Sequence, residues 1–203
     1  MTIPDLQKQS RLAGVFGALA LCCTPSWADT ILQDTFTGFY QVQFFEPIGQ
    51  SFTAQDPNID FAFFFSPINT FLAPAPLTVS LLDGSGFGGA LLGSTTLNLG
   101  DGFSGYAPAD FSGITLTPGN LYTAEVASSN AYWGIEGSVF DVYGGGSGFL
   151  QGTAGGCCDV FLGDSRFRVD PVPEPASMAL ISIFLTGIVL LHRRRLARAR
   201  RAL

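Results

Sequence analysis

From about Leu32 to Asp170 the apolar and polar positions follow the short rhythm of β-strands. Segments 50–54, 59–65, 77–82, 91–99, 114–116, 121–127, 132–136 and 160–169 each predict a strand. Turn-forming residues separate them: Asp83-Gly84, Asp101-Gly102, Thr117-Pro118-Gly119-Asn120 and Gly144-Gly145-Gly146. No segment of this region keeps a helical period over a useful length, and no internal repeat is visible. Short strands at this spacing predict an all-β chain, an antiparallel β-sandwich.

Two apolar runs interrupt that rhythm, one at each end. Leu12 to Cys23 follows the basic residues Lys8 and Arg11 and precedes Ser26-Trp27-Ala28. A basic start, a short apolar stretch and small residues at the cleavage positions predict a signal peptide over 1–28, cut by signal peptidase after Ala28. Two rival readings are a retained anchor and a lipoprotein box at Cys22 or Cys23, although the residue before each cysteine is not small. Ala176 to Leu191 is sixteen residues without a charge. As a helix it would rise about 24 Å, short of the ~30 Å hydrocarbon core. His192 and the arginines after it can reach headgroups and cover the deficit. The expectation is a transmembrane helix over 176–192 with a basic cytoplasmic tail, 193–203. Arg193, Arg194 and Arg195 act as its positive-inside stop, and the signal peptide demands the same topology.

Charge sharpens this division. Between Asp29 and Pro175 there are fifteen acidic residues, two arginines (Arg166 and Arg168), and neither lysine nor histidine, a net charge of −13. Such a body repels phosphates, which excludes nucleic acid as a partner. The single histidine, His192, lies at the membrane edge, so no Ser-His-Asp or Cys-His pair forms in the expected ectodomain, 29–170. Histidine-ligated zinc and lysine nucleophiles fall with it. Carboxylate-pair glycoside hydrolysis survives on residue type alone, and no cofactor motif stands. Gly84-Ser-Gly86-Phe-Gly88-Gly89 matches the dinucleotide pattern, but β-prone residues follow it, which predicts a hairpin loop.

Three smaller features carry candidate chemistry. Asp56-Pro-Asn58-Ile-Asp60 has the opening spacing of a calcium loop but lacks its glycine and closing glutamate. A non-EF-hand calcium site using Asp56, Asn58 and Asp60 is weighed against a solvated turn. Cys157 and Cys158 are adjacent, and export favours their oxidation. A vicinal disulfide is the first reading, pairing between molecules the second, a metal site the third. Tyr132 and Trp133 could stack on sugar rings or fill the core.

Pro171, Pro173 and Pro175 alternate with Val172 and Glu174, which forces an extended, exposed segment. The order Val172-Pro173-Glu174-Pro175-Ala176-Ser177, an apolar helix and an arginine cluster resembles the PEP-CTERM sorting signal. This covers 171–203, with the proline-rich motif at 171–177. The family occurs in Gram-negative bacteria that make exopolysaccharide. The resemblance implies a temporary inner-membrane anchor, with Val172, Pro173, Glu174 and Pro175 presented to an exosortase-type protease. The body resembles choice-of-anchor domains through Gly49-Gln50-Ser51-Phe52-Thr53, Leu77-Thr-Val-Ser-Leu81, Leu116-Thr117-Pro118-Gly119 before Leu121-Tyr122, and Asp159 to Arg168. That resemblance implies a jelly-roll-like fold. The combined expectation is an exported, exosortase-sorted protein of the cell surface or biofilm matrix, non-enzymatic and structural or adhesive toward exopolysaccharide. The alternatives are a carbohydrate-binding module with a defined glycan and, after it, a glycan-cleaving enzyme.

Overall fold

A computed structural model of the protein describes residues 29–151, 163–172, 183–185 and 187–188. The described body, residues 29–151 and 163–172, is all-β apart from one helical turn. In order the elements are β1 (Ile31–Gln33), β2 (Gly38–Gln41), α1 (Val42–Phe45), β3 (Ile48–Thr53), β4 (Ile59–Pro67), β5 (Leu77–Asp83) and β6 (Leu91–Leu97). They continue with β7 (Gly105–Asp110), β8 (Leu121–Ser128), β9 (Trp133–Ser138), β10 (Gly148–Leu150), β11 (Asp164–Ser165) and β12 (Phe167–Pro171). No helix among the described residues is long and apolar enough to cross a membrane. Residues 183–185 and 187–188 of the expected membrane segment are helical; its remainder, the signal peptide and the arginine cluster lie outside the described residues.

The strands form two antiparallel sheets. One has five strands in the order β10-β3-β8-β5-β6. The other has seven: β1-β12-β4-β9-β11 in sequence, with β7 on β4 and β2 on β9. Alternation along β4 explains why it centres the larger sheet. Phe61, Phe63 and Phe65 point one way and are buried, while Asp60, Phe64 and Ser66 point the other and are partly exposed. The buried row meets its counterpart from the five-stranded sheet, where Phe52 lies 5.3 Å from Phe61, ring centroid to centroid; within its own sheet Phe61 stacks on Phe167 of β12 at 5.5 Å. Leu77, Val79, Leu81, Ala124, Val126 and Ile135 complete one core shared by both sheets.

The loop between β5 and β6 is the expected hairpin. Gly84 and Gly86 take φ of +83° and +81°, a conformation that only glycine enters without strain, and the Gly86 N–H donates to Thr123 Oγ1 at 2.8 Å.

A buried polar joint fastens one side of the core. Gln50 on β3 and Asp164 on β11 are both fully buried. The Gln50 amide donates to Asp164 Oδ1 (2.9 Å) and its carbonyl accepts from the Ser165 N–H (2.8 Å). Asp164 Oδ2 accepts from the Val142 and Tyr143 N–H groups at 2.7 and 2.8 Å. The joint therefore binds the two sheets and the loop after β9, and its hydrogen bonds offset the cost of burying a carboxylate.

The two ends of the body meet. β1 pairs antiparallel with β12 in the register Ile31↔Val169. Thr30 Oγ1 donates to Asp170 Oδ1, and the Val172 N–H donates to the Asn58 carbonyl at 2.9 Å. The chain thus enters β1 and leaves β12 at the same end of the sheet, on strands spaced about 5 Å apart.

Candidate functional site

The solvent face of the seven-stranded sheet gathers both arginines of the body and the carboxylates of Asp34, Asp60, Asp110, Glu136 and Asp170. β4 forks there. Toward one end it pairs with β12 (Ile59↔Pro171 to Phe63↔Phe167), and toward the other with β9 (Phe65↔Ile135 to Pro67↔Trp133). Arg166 sits in the fork between β11 and β12. Its N–H donates to the Glu136 carbonyl of β9 at 2.7 Å, and its own carbonyl accepts from the Phe64 N–H of β4 at 2.9 Å.

The side chain of Arg166 repeats this bridging role. Its guanidinium bonds Asp34, just after β1, at 2.5 Å and Glu136 at 2.7 Å. It lies 3.8 Å from the centroid of the Phe64 ring and 5.5 Å from that of Tyr106 on β7. Tyr106 Oη donates to Asp34 at 2.6 Å, and Ser66 Oγ donates to Glu136 Oε1 at 2.6 Å. One cation thereby touches groups from β1, β4, β7 and β9. Burial opposes its charge, but the bonds from Asp34 and Glu136 outweigh that and hold its pKa above the usual guanidinium value. Arg166 and Tyr106 together hold the Asp34 carboxyl below its usual range. Burial first, then the Asp34 hydrogen bond, pushes Tyr106 up to about 12.

One step along the same face lies a row of carboxylates. The register sets Asp170, Asp60 and Asp110 side by side on β12, β4 and β7. Arg168 pairs with Asp170 at 2.6 Å. Among the described residues neither Asp60 nor Asp110 has a cationic partner within ion-pair distance. Burial, then the charge of Asp110, raises the Asp60 pKa, and Asp60 Oδ1 is buried without a hydrogen-bond donor. Asp110 goes the other way, lowered by the hydroxyl and N–H of Ser112.

The three residues weighed for a calcium site have separate surroundings. Asp60 is drawn into the cross-strand row, and its charged neighbours are Asp110 and Asp170. Asp56 lies in the preceding turn, where burial and the charge of Asp29 raise its pKa, and Asn58 uses its carbonyl to hold Val172. Among the described residues no three His, Cys, Asp or Glu side chains are placed to hold a metal ion.

Of the two readings weighed for Tyr132 and Trp133, the structure favours the core. Tyr132 and Trp133 are both 0% exposed. Trp133 Nε1 donates to the Ala75 carbonyl at 2.8 Å, and Tyr132 Oη donates to Asp101. Their rings face the core, so no surface is left for a sugar. Val172 directly follows β12. Pro173, Glu174, Pro175, Cys157, Cys158, Arg193, Arg194, Arg195 and the cleavage position after Ala28 lie outside the described residues.

Residue patterning alone did not single out Arg166, Asp34, Glu136 or Tyr106. The available signal was the scarcity of cations: a body with two arginines among fifteen acids must place each where it neutralises the most charge. Comparison with protein-family models, curated proteins and solved structures found no match to this chain, so its function is argued from its own residues.

Two outcomes follow from this face. Arg166→Lys keeps the charge but loses the planar fork and the stacking on Phe64, and should destabilise the fold by about 1–2 kcal/mol in urea unfolding. Asp60→Asn removes a like charge from the row and should stabilise the protein at pH 7 by about 0.5 kcal/mol, a figure discounted for solvent screening. Because the folded-state pKa of Asp60 is raised, its unfavourable contribution develops as pH climbs through that value. The gain should therefore shrink toward zero as pH falls below the ordinary carboxylate range. Thermal melts of both proteins from pH 7 to pH 3.5 check this.

Proposed function

We propose that this is an exported protein, anchored transiently in the inner membrane and sorted to the cell surface by its C-terminal signal. There its β-domain serves as a non-enzymatic structural or adhesive component of an exopolysaccharide matrix. The tail carries the reading in sequence: Val172-Pro173-Glu174-Pro175, an apolar run and the arginines from Arg193. The geometric support is the β1–β12 pairing, which brings both ends of the domain out side by side. While the signal peptide is still attached both ends of the chain lie at one bilayer, and adjacent antiparallel strands accommodate that without a long linker.

The junctions fit processing as well. β1 begins at Ile31, three residues after Ala28, and β12 ends at Pro171, just before Val172-Pro173. Cuts after Ala28 and within the proline motif would release a domain with every strand intact. Strand order supports the jelly-roll-like reading. Taking β1, β3, β4, β5, β6, β7, β8 and β12 as the eight principal strands, β1-β12-β4-β7 faces β3-β8-β5-β6, the order of a double Greek key. Of the remaining strands, β2, β9 and β11 extend the seven-stranded sheet and β10 extends the five-stranded one.

Replacing Pro173 and Pro175 by alanine should let helix extend outward from the membrane and trap an uncut precursor. Fractionation should show the double variant in the inner membrane and the wild type at the surface or in the medium. Wild-type protein at the cell surface with Arg201 still attached would contradict the sorting reading.

A further inference from the structure

We infer that β6 is a docking edge for a second copy of this chain, which pairs with it antiparallel about a two-fold axis. β6 is the last strand of the five-stranded sheet, and among the described residues it pairs only with β5. Its other edge therefore offers a row of backbone donors and acceptors to an incoming strand.

The other sheet edges are protected. β7 carries Pro108, which has no N–H to give, and Asp110. β1 and β10 are three residues long and β2 is four, too short to template a partner. β6 has seven residues, Leu91-Leu-Gly-Ser-Thr-Thr-Leu97, with neither proline nor charge. Leu91 and Leu92 are 61% and 38% exposed. Its β-branched and apolar residues suit a pleated, half-buried surface.

Charge identifies the partner. The body from Asp29 to Pro175 carries −13, so two copies repel each other over most of their surface. The stretch from Gly84 to Gly100, seventeen residues containing β6 and its hairpin loop, holds no charged residue. It is where two copies can approach without setting carboxylate against carboxylate. A two-fold pairing is self-complementary, because each strand presents to its mate the same hydroxyl and apolar rows that it receives. The product joins two five-stranded sheets into one continuous sheet and leaves both pairs of chain ends free. The inference does not depend on the sorting reading, since it needs only the folded domain.

The test is sedimentation equilibrium of the full chain in detergent with reductant present, so that cysteine cross-links do not contribute. Wild type should show a concentration-dependent dimer that strengthens as salt rises from about 0.05 M to 0.5 M, because screening relieves repulsion between the acidic bodies. Thr96→Glu and Ser94→Glu each place a carboxylate at an exposed β6 position, where the two-fold axis brings it near its own copy. Each should weaken the dimer at least about tenfold, whereas Thr96→Val should leave it unchanged. Thermal melts identify folded variants, and either glutamate variant alone is sufficient. A wild type that stays monomeric at several hundred micromolar and high salt would overturn the proposal. So would a dimer that both folded glutamate variants retain, which would place association in the tail or on another face.

Discussion

Arg166 is the interaction on which the larger sheet depends. A strand cannot pair with two neighbours on one edge unless those neighbours succeed each other along its length. β4 does this by leaving β9 and taking up β12, and the crossing point has to be filled. Arg166 fills it with its backbone, bonded to Glu136 and Phe64, and then ties the surrounding strands with its side chain. In a body so short of cations, one guanidinium that satisfies two carboxylates while covering an aromatic ring is an economical solution. Charge-assisted hydrogen bonds to two carboxylates and partial burial make this guanidinium worth more than an ordinary surface ion pair.

The same fork controls the ends of the domain. β12 is available to β1 because β9 has moved aside, and the β1–β12 pair places entry and exit together. A consequence of strand pairing is thus that both ends of the domain emerge from one end of the sheet. The remaining carboxylates are arranged less comfortably. Asp60 stands between Asp110 and Asp170 without a cation of its own, so the sheet tolerates a row of like charges on its solvent face. That acidity keeps copies of the domain apart over most of their surface, which gives the uncharged edge at β6 its meaning.

Much of the fold was legible in the sequence because alternation is strong where a strand has one buried face. Segments 59–65, 77–82 and 121–127 were found within a residue or two of β4, β5 and β8. β7 was missed because Gly105-Tyr-Ala-Pro-Ala-Asp110 buries only small residues and contains a proline, which an edge position permits. The expected strand at 114–116 is absent: Leu116 is buried singly, its N–H bonded to the Pro57 carbonyl. The expected strand at 160–169 is interrupted where Arg166 turns the chain from β9 to β4, and its first three residues lie outside the described ones. The site was less legible. Local spacing linked Asp60 to Asp56 and Asn58, but cross-strand register links it to residues 50 and 110 positions away, and no local pattern carries that information. For Tyr132 and Trp133 the sequence left both sugar stacking and core packing open, and their burial decides for the core.

The central claim is that the body between the two terminal signals is released whole, with its strand pairing intact. The intact mass of the protein recovered from the cell surface tests it most directly. The account predicts a species that starts at Asp29 and ends in or just after the Val172–Pro175 motif, retaining every strand from β1 to β12 and none of the arginines from Arg193 onward. A surface species that retains the arginine cluster, or one cut inside the β-domain, would contradict it.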